Sequence, residues 1–179
     1  MKELITPVLS FATLLGHILF IFCILAFIYR KSWGRNFIHF VHKYALWLGF
    51  GLSSLAVIFS LIYSNYIGYA PCELCWWQRI FLYPQAVLFL VAIIKKDRGI
   101  FDYALPLSIA AFFVSLYQSF SNFSGTSLLP CTAVGGECSK IYVLEYGYIT
   151  IPLMSLTLVC YLLFIKLCAK KYDPDNSHA

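Results

Sequence analysis

The segment Pro71-Cys72-Glu73-Leu74-Cys75-Trp76-Trp77-Gln78-Arg79 gathers residues that can do chemistry together. Two cysteines three positions apart can pass between dithiol and disulfide. A disulfide of that spacing closes too small a loop to add much stability, and it is often redox-labile. The segment stands where a polar connection becomes an apolar run, so dithiol, cation and indole rings meet at a bilayer surface. A helix starting near Cys75 places that cysteine in the first turn, where unpaired N–H groups and the helix dipole favour a thiolate. Gln78 and Arg79 then follow at i+3 and i+4 on the same face. Arg79 lies about 6 Å deeper, at ~1.5 Å of rise per residue. There it can stabilise a thiolate or an oxyanion on a bound acceptor. The competing reading is an arginine snorkelling to the headgroups. Trp76 and Trp77 suit an interfacial aromatic belt, and one of them also suits the wall of a flat, ring-binding pocket. A dithiol beside lipid has poor access to a soluble oxidant. A quinone is the obvious acceptor in the lipid phase, because it takes the two electrons and two protons that a dithiol releases.

The elements that hold this segment are membrane helices. The chain has 179 residues, 61% hydrophobic and 12% charged, with a mean hydropathy of +0.79. That composition excludes a soluble globular domain. Five apolar runs, at 7–28, 45–63, 75–94, 103–120 and 149–165, approach or reach the ~20 residues that cross a ~30 Å hydrocarbon core. The connections are too short for a separate soluble domain. The expected architecture is all-α, a polytopic membrane helical bundle of five transmembrane helices. The first run lacks the pattern of a cleavable signal peptide, because its basic cluster of Arg30, Lys31 and Arg35 follows the apolar part. Pro84 inside the third run is expected to kink that helix.

Charge sets the orientation. Ten of the 13 Lys and Arg residues fall in connections on one side: Arg30, Lys31, Arg35 and Lys43, then Lys95, Lys96 and Arg98, then Lys166, Lys170 and Lys171. The other side carries Lys2, Arg79 and Lys140. The positive-inside rule puts the N-terminus outside and the C-terminus in the cytoplasm. The net charge of +5 thus reflects topology and contact with anionic lipid, and no nucleic-acid partner is needed.

Seven cysteines sort by side. Cys23, Cys160 and Cys168 lie in or near apolar helices, where cysteine packs as a small apolar side chain. Cys72 and Cys75 share the outer, oxidising side with Cys131 and Cys138, which lie in the connection 121–148. Three readings of the two pairs compete. A four-thiolate zinc site has the right ligand number but sits in a compartment that oxidises thiols. Structural disulfides are a second reading, and catalytic thiol–disulfide exchange a third. Gly135-Gly136 allows a tight turn between Cys131 and Cys138. The Ser- and Asn-rich stretch 119–127 reads as a flexible loop able to carry that pair to a soluble partner. The aromatic stretch 141–148 is too short to span and is expected to lie flat on the membrane. Asn122-Phe123-Ser124 matches a glycosylation acceptor and is assigned no role. His17 reads as a packing residue within the first helix, and His39 and His42 as solvated.

The run from Pro71 to Ile80, together with Glu137-Cys138 and the later Tyr146-Gly147-Tyr148-Ile149-Thr150-Ile151-Pro152, resembles the disulfide bond formation protein B family (DsbB, with Gram-positive-type relatives called BdbC). The likeness covers about 45–166. It implies a four-helix redox domain, 45–168. The segment 1–44 is then an extra N-terminal helix with its cytoplasmic loop, and 169–179 a cytoplasmic tail. It further implies a quinone-dependent thiol oxidoreductase of the bacterial inner membrane, using ubiquinone or menaquinone. Its partner would be an extracytoplasmic thioredoxin-fold dithiol oxidase (DsbA-like), which it re-oxidises in support of disulfide formation in secreted proteins. In that scheme Cys72, Cys75, Cys131 and Cys138 are catalytic. Arg79, Cys75, Trp76 and Gln78 meet the quinone, and no metal is required. Two alternatives stay open: a quinone reductase resembling vitamin K epoxide reductase, in which the order of the two cysteine pairs along the chain is expected to be reversed, and a non-catalytic membrane protein with structural disulfides.

Overall fold

The computed structural model describes residues 2–29, 34–125 and 140–171. Six helices follow in order: α1 (Lys2–Ile28), α2 (Gly34–Lys43), α3 (Ala45–Leu61), α4 (Glu73–Lys95), α5 (Ile100–Ser124) and α6 (Ile151–Lys171). A π-helical turn, Ile62–Tyr66, extends α3. Among the described residues, five segments are long and apolar enough to cross a membrane: Ile5–Ile28, Ala45–Tyr66, Glu73–Lys95, Ile100–Ser124 and Ile151–Ala169. All five expected runs are therefore helices, and the chain is a multi-pass membrane protein. Among the described residues the sole β-type pairing is an isolated bridge between Glu145 and Ile149.

Helices α3 to α6 form a closed ring, with α3 against α4 and α6, and α5 against α4 and α6. On α3 the buried positions Ala45, Gly49, Ser53 and Ala56 form a stripe of small residues. Small side chains let membrane helices approach closely, which stands in for the hydrophobic drive that lipid does not provide. A Cβ on Gly49 would lie 2.7 Å from the Phe89 ring, so glycine is what admits that ring. Between α4 and α5, Ser108 donates to Gln85 Oε1 at 3.0 Å, and Gln85 Nε2 donates to the Phe81 carbonyl at 2.9 Å. These polar groups are buried but paired, as hydrocarbon surroundings require. Val87, Ile94, Phe113 and Phe120 point outward and stay exposed, the arrangement for a bundle solvated by lipid.

Helix α1 lies outside the ring and packs on α2 and α6. Tyr161 OH donates to the Gly16 carbonyl at 2.5 Å, and Phe20 sets its edge against Tyr161 at 5.0 Å between centroids. His17 bonds Thr157 Oγ1 through Nε2 at 2.9 Å and lies 3.3 Å from Tyr148 OH through Nδ1. It is a partnered packing residue, as its sequence context suggests.

Two expectations are corrected. The segment read as a loop with two solvated histidines contains an amphipathic helix, α2. Its Ile38 and Val41 are buried and spaced to share one face. His39 is exposed, but His42 is half-buried and accepts from Arg98 Nη1 at 2.6 Å. The polar stretch from residue 119 is not a loop at its start, because α5 runs on to Ser124 with Ser119, Ser121 and Asn122 buried. The 141–148 stretch folds back as a turn packed on the bundle. Val143 and Ile149 are buried against Tyr63 and Met154, and positive φ at Tyr146 (53°) and Gly147 (77°) closes the turn between the bridged residues. Pro84 lies inside α4. Its ring removes one helical N–H.

Candidate functional site

Cys72 is the residue that caps α4, with extended backbone at φ −74° and ψ 174°. Its carbonyl accepts the first helical bond, from the Trp76 N–H at 3.2 Å. Cys75 is thereby the third residue of the helix, where N–H groups have no helical acceptor. The extended cap turns the Cys72 side chain back over the first turn, and the two sulfurs lie 3.1 Å apart. A disulfide needs about 2.05 Å between sulfurs, so the pair closes by a small approach without refolding. Cys72 is 4% exposed, and Cys75 is half-buried. The hydrogen bond with Cys75, followed by burial, holds the Cys72 thiol well above the usual cysteine range. Cys75 is therefore the more accessible sulfur and Cys72 the sequestered one.

A residue absent from the sequence-based site joins them. Gln118 of α5 directs its Nε2 at both sulfurs, 3.2 Å from Cys72 Sγ and 3.3 Å from Cys75 Sγ. Its Oε1 accepts from Gln78 Nε2 at 2.6 Å. Gln78 thus orients Gln118, and Gln118 presents its donor to the dithiol. A signal for it was present: Ser115, Gln118, Ser119 and Asn122 place a polar face at helical spacing inside an otherwise apolar span.

Arg79 lies one turn below Cys75. Its Nε donates to Ser60 Oγ at 3.0 Å and its Nη2 to the Ser60 carbonyl at 3.4 Å. The guanidinium carbon sits 5.0 Å from the centre of the Trp76 ring. Ser60 immediately precedes the last residue of α3, next to the π-helical turn, a feature often found at functional sites. The arginine is held between α3 and an indole. Trp76 and Trp77 are 55% and 47% exposed, so both face outward. Trp76 reaches the site only through Arg79.

These groups stand at one end of an apolar cleft of about 570 Å³. Cys72, Cys75, Gln78, Arg79 and Gln118 line that end, together with Asn122. The opposite end is lined by Phe37, Phe40 and Val41 of α2. Asn122, the asparagine of the glycosylation match, is buried and faces a membrane cleft. Cys131 and Cys138 lie outside the described residues, so the structure assigns them no position.

The fold and this site define a class: a polytopic helical membrane protein with a closely spaced dithiol at the mouth of an apolar cleft. The family model described as disulfide bond formation protein DsbB matches residues 42–169, and the chain belongs to that family. It is 36% identical over 140 residues to the disulfide bond formation protein C of Bacillus subtilis, covering 76% of this chain and 96% of that one. The prophage-derived disulfide bond formation protein B of the same organism is 36% identical over 134 residues, covering 72% and 89% respectively. A probable disulfide formation protein of Chlamydia pneumoniae is 32% identical over 137 residues, covering 75% and 98%. No solved structure matches the chain. Membership makes this a membrane protein of disulfide bond formation, with thiol oxidoreductase activity implied by the family.

Proposed function

We propose that the chain re-oxidises an extracytoplasmic thioredoxin-fold dithiol oxidase and passes the electrons to a membrane quinone. The observation that carries this reading is the Cys72–Cys75 pair, 3.1 Å apart, at the polar end of the apolar cleft and one turn above Arg79. The residues present fit a quinone. The cleft is mostly apolar, and the amide and guanidinium groups that line it stand at the dithiol end. Asn122 Oδ1 at that end and Tyr83 OH, one turn below Arg79 on α4, are buried without a hydrogen-bond partner among the described residues, and both residues line the cleft. Buried polar atoms are normally paired, so these two suit a ligand carrying ring oxygens.

A bound quinone supplies a two-electron, two-proton sink. The chain's own residues do the rest by thiolate exchange. A thiolate of the partner attacks Cys131 of a Cys131–Cys138 disulfide, and Cys138 leaves as its thiolate. The partner's second thiol resolves the mixed disulfide, so the partner departs oxidised and the loop pair is reduced. The loop pair then reduces the Cys72–Cys75 disulfide by the same exchange. Cys75, at the cleft, surrenders the electron pair while Cys72 closes on it, and the two thiol protons leave with the electrons. Gln118 meets negative charge as it develops on either sulfur. Arg79 presents its guanidinium where an acceptor oxygen gains charge. Gln78 and Trp76 hold those two groups in place.

The orientation follows from charge. Lys43, Lys95, Arg98 and Lys166 lie at or near helix ends opposite the dithiol. The positive-inside rule then places the dithiol and the N-terminus outside a bacterial inner membrane. The test is quinone reduction by purified protein supplied with reduced partner. Cys75→Ser should abolish it, and Cys138→Ala should accumulate a mixed disulfide between Cys131 and the partner. Full turnover in Cys75→Ser would overturn the role given to that sulfur.

A further inference from the structure

The family match begins at residue 42, so α1 and nearly all of α2 lie outside it. Yet α1 forms a wall of the cleft that ends at the dithiol. Leu9, Ala12, Thr13, Gly16, Leu19 and Cys23 line it, at the i, i+3, i+4 and i+7 spacing of one helical stripe. That stripe is about 20 Å long, at ~1.5 Å per residue. Opposite stand Leu52, Leu55, Ala56 and Phe59 of α3. Helix α1 docks on α6 and α2, through the Tyr161–Gly16 hydrogen bond and the Phe22–Phe37 ring contact at 5.4 Å. It is thereby held apart from α3 across the cleft. Ala12, Thr13 and Gly16 keep that face low. A Cβ on Gly16 would meet only Thr157 Cγ2, at 3.9 Å.

Resting on the quinone reading, we infer that α1 is a specificity element. The slot between α1 and α3 holds the apolar tail of the quinone, with the ring at Cys75 and Arg79. Three features favour a tailed quinone over a free lipid chain. The slot is continuous with the polar end, the amide and guanidinium groups of the lining stand at that end, and the slot is far longer than a ring needs. The helix thus selects acceptors by tail rather than by ring, and it does so from outside the segment that the family model matches.

The test measures binding, with the full-length oxidised protein in phosphatidylcholine nanodiscs, so that no turnover occurs. Quenching of tryptophan fluorescence is titrated with a long-tailed and with a tail-less quinone of the same ring. Wild type should bind the tailed form at least ten-fold more tightly. Ala12→Phe and, separately, Thr13→Phe fill the slot and should cut that preference to within two-fold, leaving the tail-less Kd unchanged. Ile18→Ala, on the outward face of α1, should leave both constants as they are. The inference is overturned if wild type binds the two forms equally, which would leave the slot to a lipid acyl chain. Unchanged tail preference in both phenylalanine variants would overturn it too. Failure of wild type to bind or reduce either quinone would instead refute the quinone reading itself.

Discussion

Gln118 Nε2 lies 3.2 Å from Cys72 Sγ, reaching from α5 across to the cap of α4. That contact joins the dithiol to the bundle's interior and gives it a neutral donor that lipid cannot supply. A hydrogen bond to a charged group contributes about 1.5–3 kcal/mol, and ~1.4 kcal/mol is ten-fold in rate. Gln118→Leu should therefore slow reduction of quinone by reduced partner by about ten-fold or more. It also strands the Gln78 amide. Gln78→Leu keeps the donor on the sulfurs and should cost only a few-fold. Equal rates in wild type and Gln118→Leu would remove Gln118 from the site.

Arg79 is held by two hydrogen bonds to Ser60, through Nε and Nη2. Arg79→Met should raise the KM for quinone by at least ten-fold while leaving the KM for the protein partner alone. Arg79→Lys keeps charge but loses the planar fork, and should fall between. Ser60→Ala should give a shift of a few-fold in the same direction. A change confined to the partner's KM would show that the arginine serves docking instead.

The Cys72 thiol is held above its ordinary range first by the hydrogen bond with Cys75 and then by burial. A raised value keeps the thiol protonated, and only thiolate is alkylated. In the reduced protein, maleimide at pH 8 should label Cys75 well before Cys72, and Cys72 labelling should climb as pH rises further. Cys75→Ala removes the largest cause, so labelling of Cys72 at pH 8 should accelerate. Mass spectrometry of timed samples measures both rates. Faster labelling of Cys72 than of Cys75 in the wild type would contradict the geometry.

Gly49 admits the Phe89 ring, which is 2% exposed and so has little room to retreat. A Cβ there would stand 2.7 Å from the ring. Overpacking costs about 1–3 kcal/mol. Gly49→Ala should lower the thermal midpoint in detergent, and Gly49→Ala with Phe89→Leu should recover part of the loss. No shift in Gly49→Ala would mean that α3 and α4 separate freely.

Much was legible in the chain before any coordinates. Five apolar runs became five helices because backbone polar groups in hydrocarbon leave no other choice. The position of Cys75 in the first turn of α4 also followed from sequence, since the polar-to-apolar border marks where the helix can begin. The helix ends were less legible. Helix α5 extends through Ser119, Ser121 and Asn122 because those polar side chains turn inward, and composition alone cannot distinguish an inward serine from a loop serine. Helix α2 was missed because its burial depends on α1 and α6, not on its own weak hydropathy.

The sequence by itself determined the dithiol, its place at a membrane border and the arginine one turn below, because each depends on spacing within a single helix. Only the tertiary structure decided what faces them. Gln118 is 43 residues from Cys75, Ser60 is 19 residues from Arg79, and the far wall of the cleft belongs to α1. Such pairings depend on how helices rotate and pack against one another, and one helix's periodicity does not specify the rotation of its neighbour.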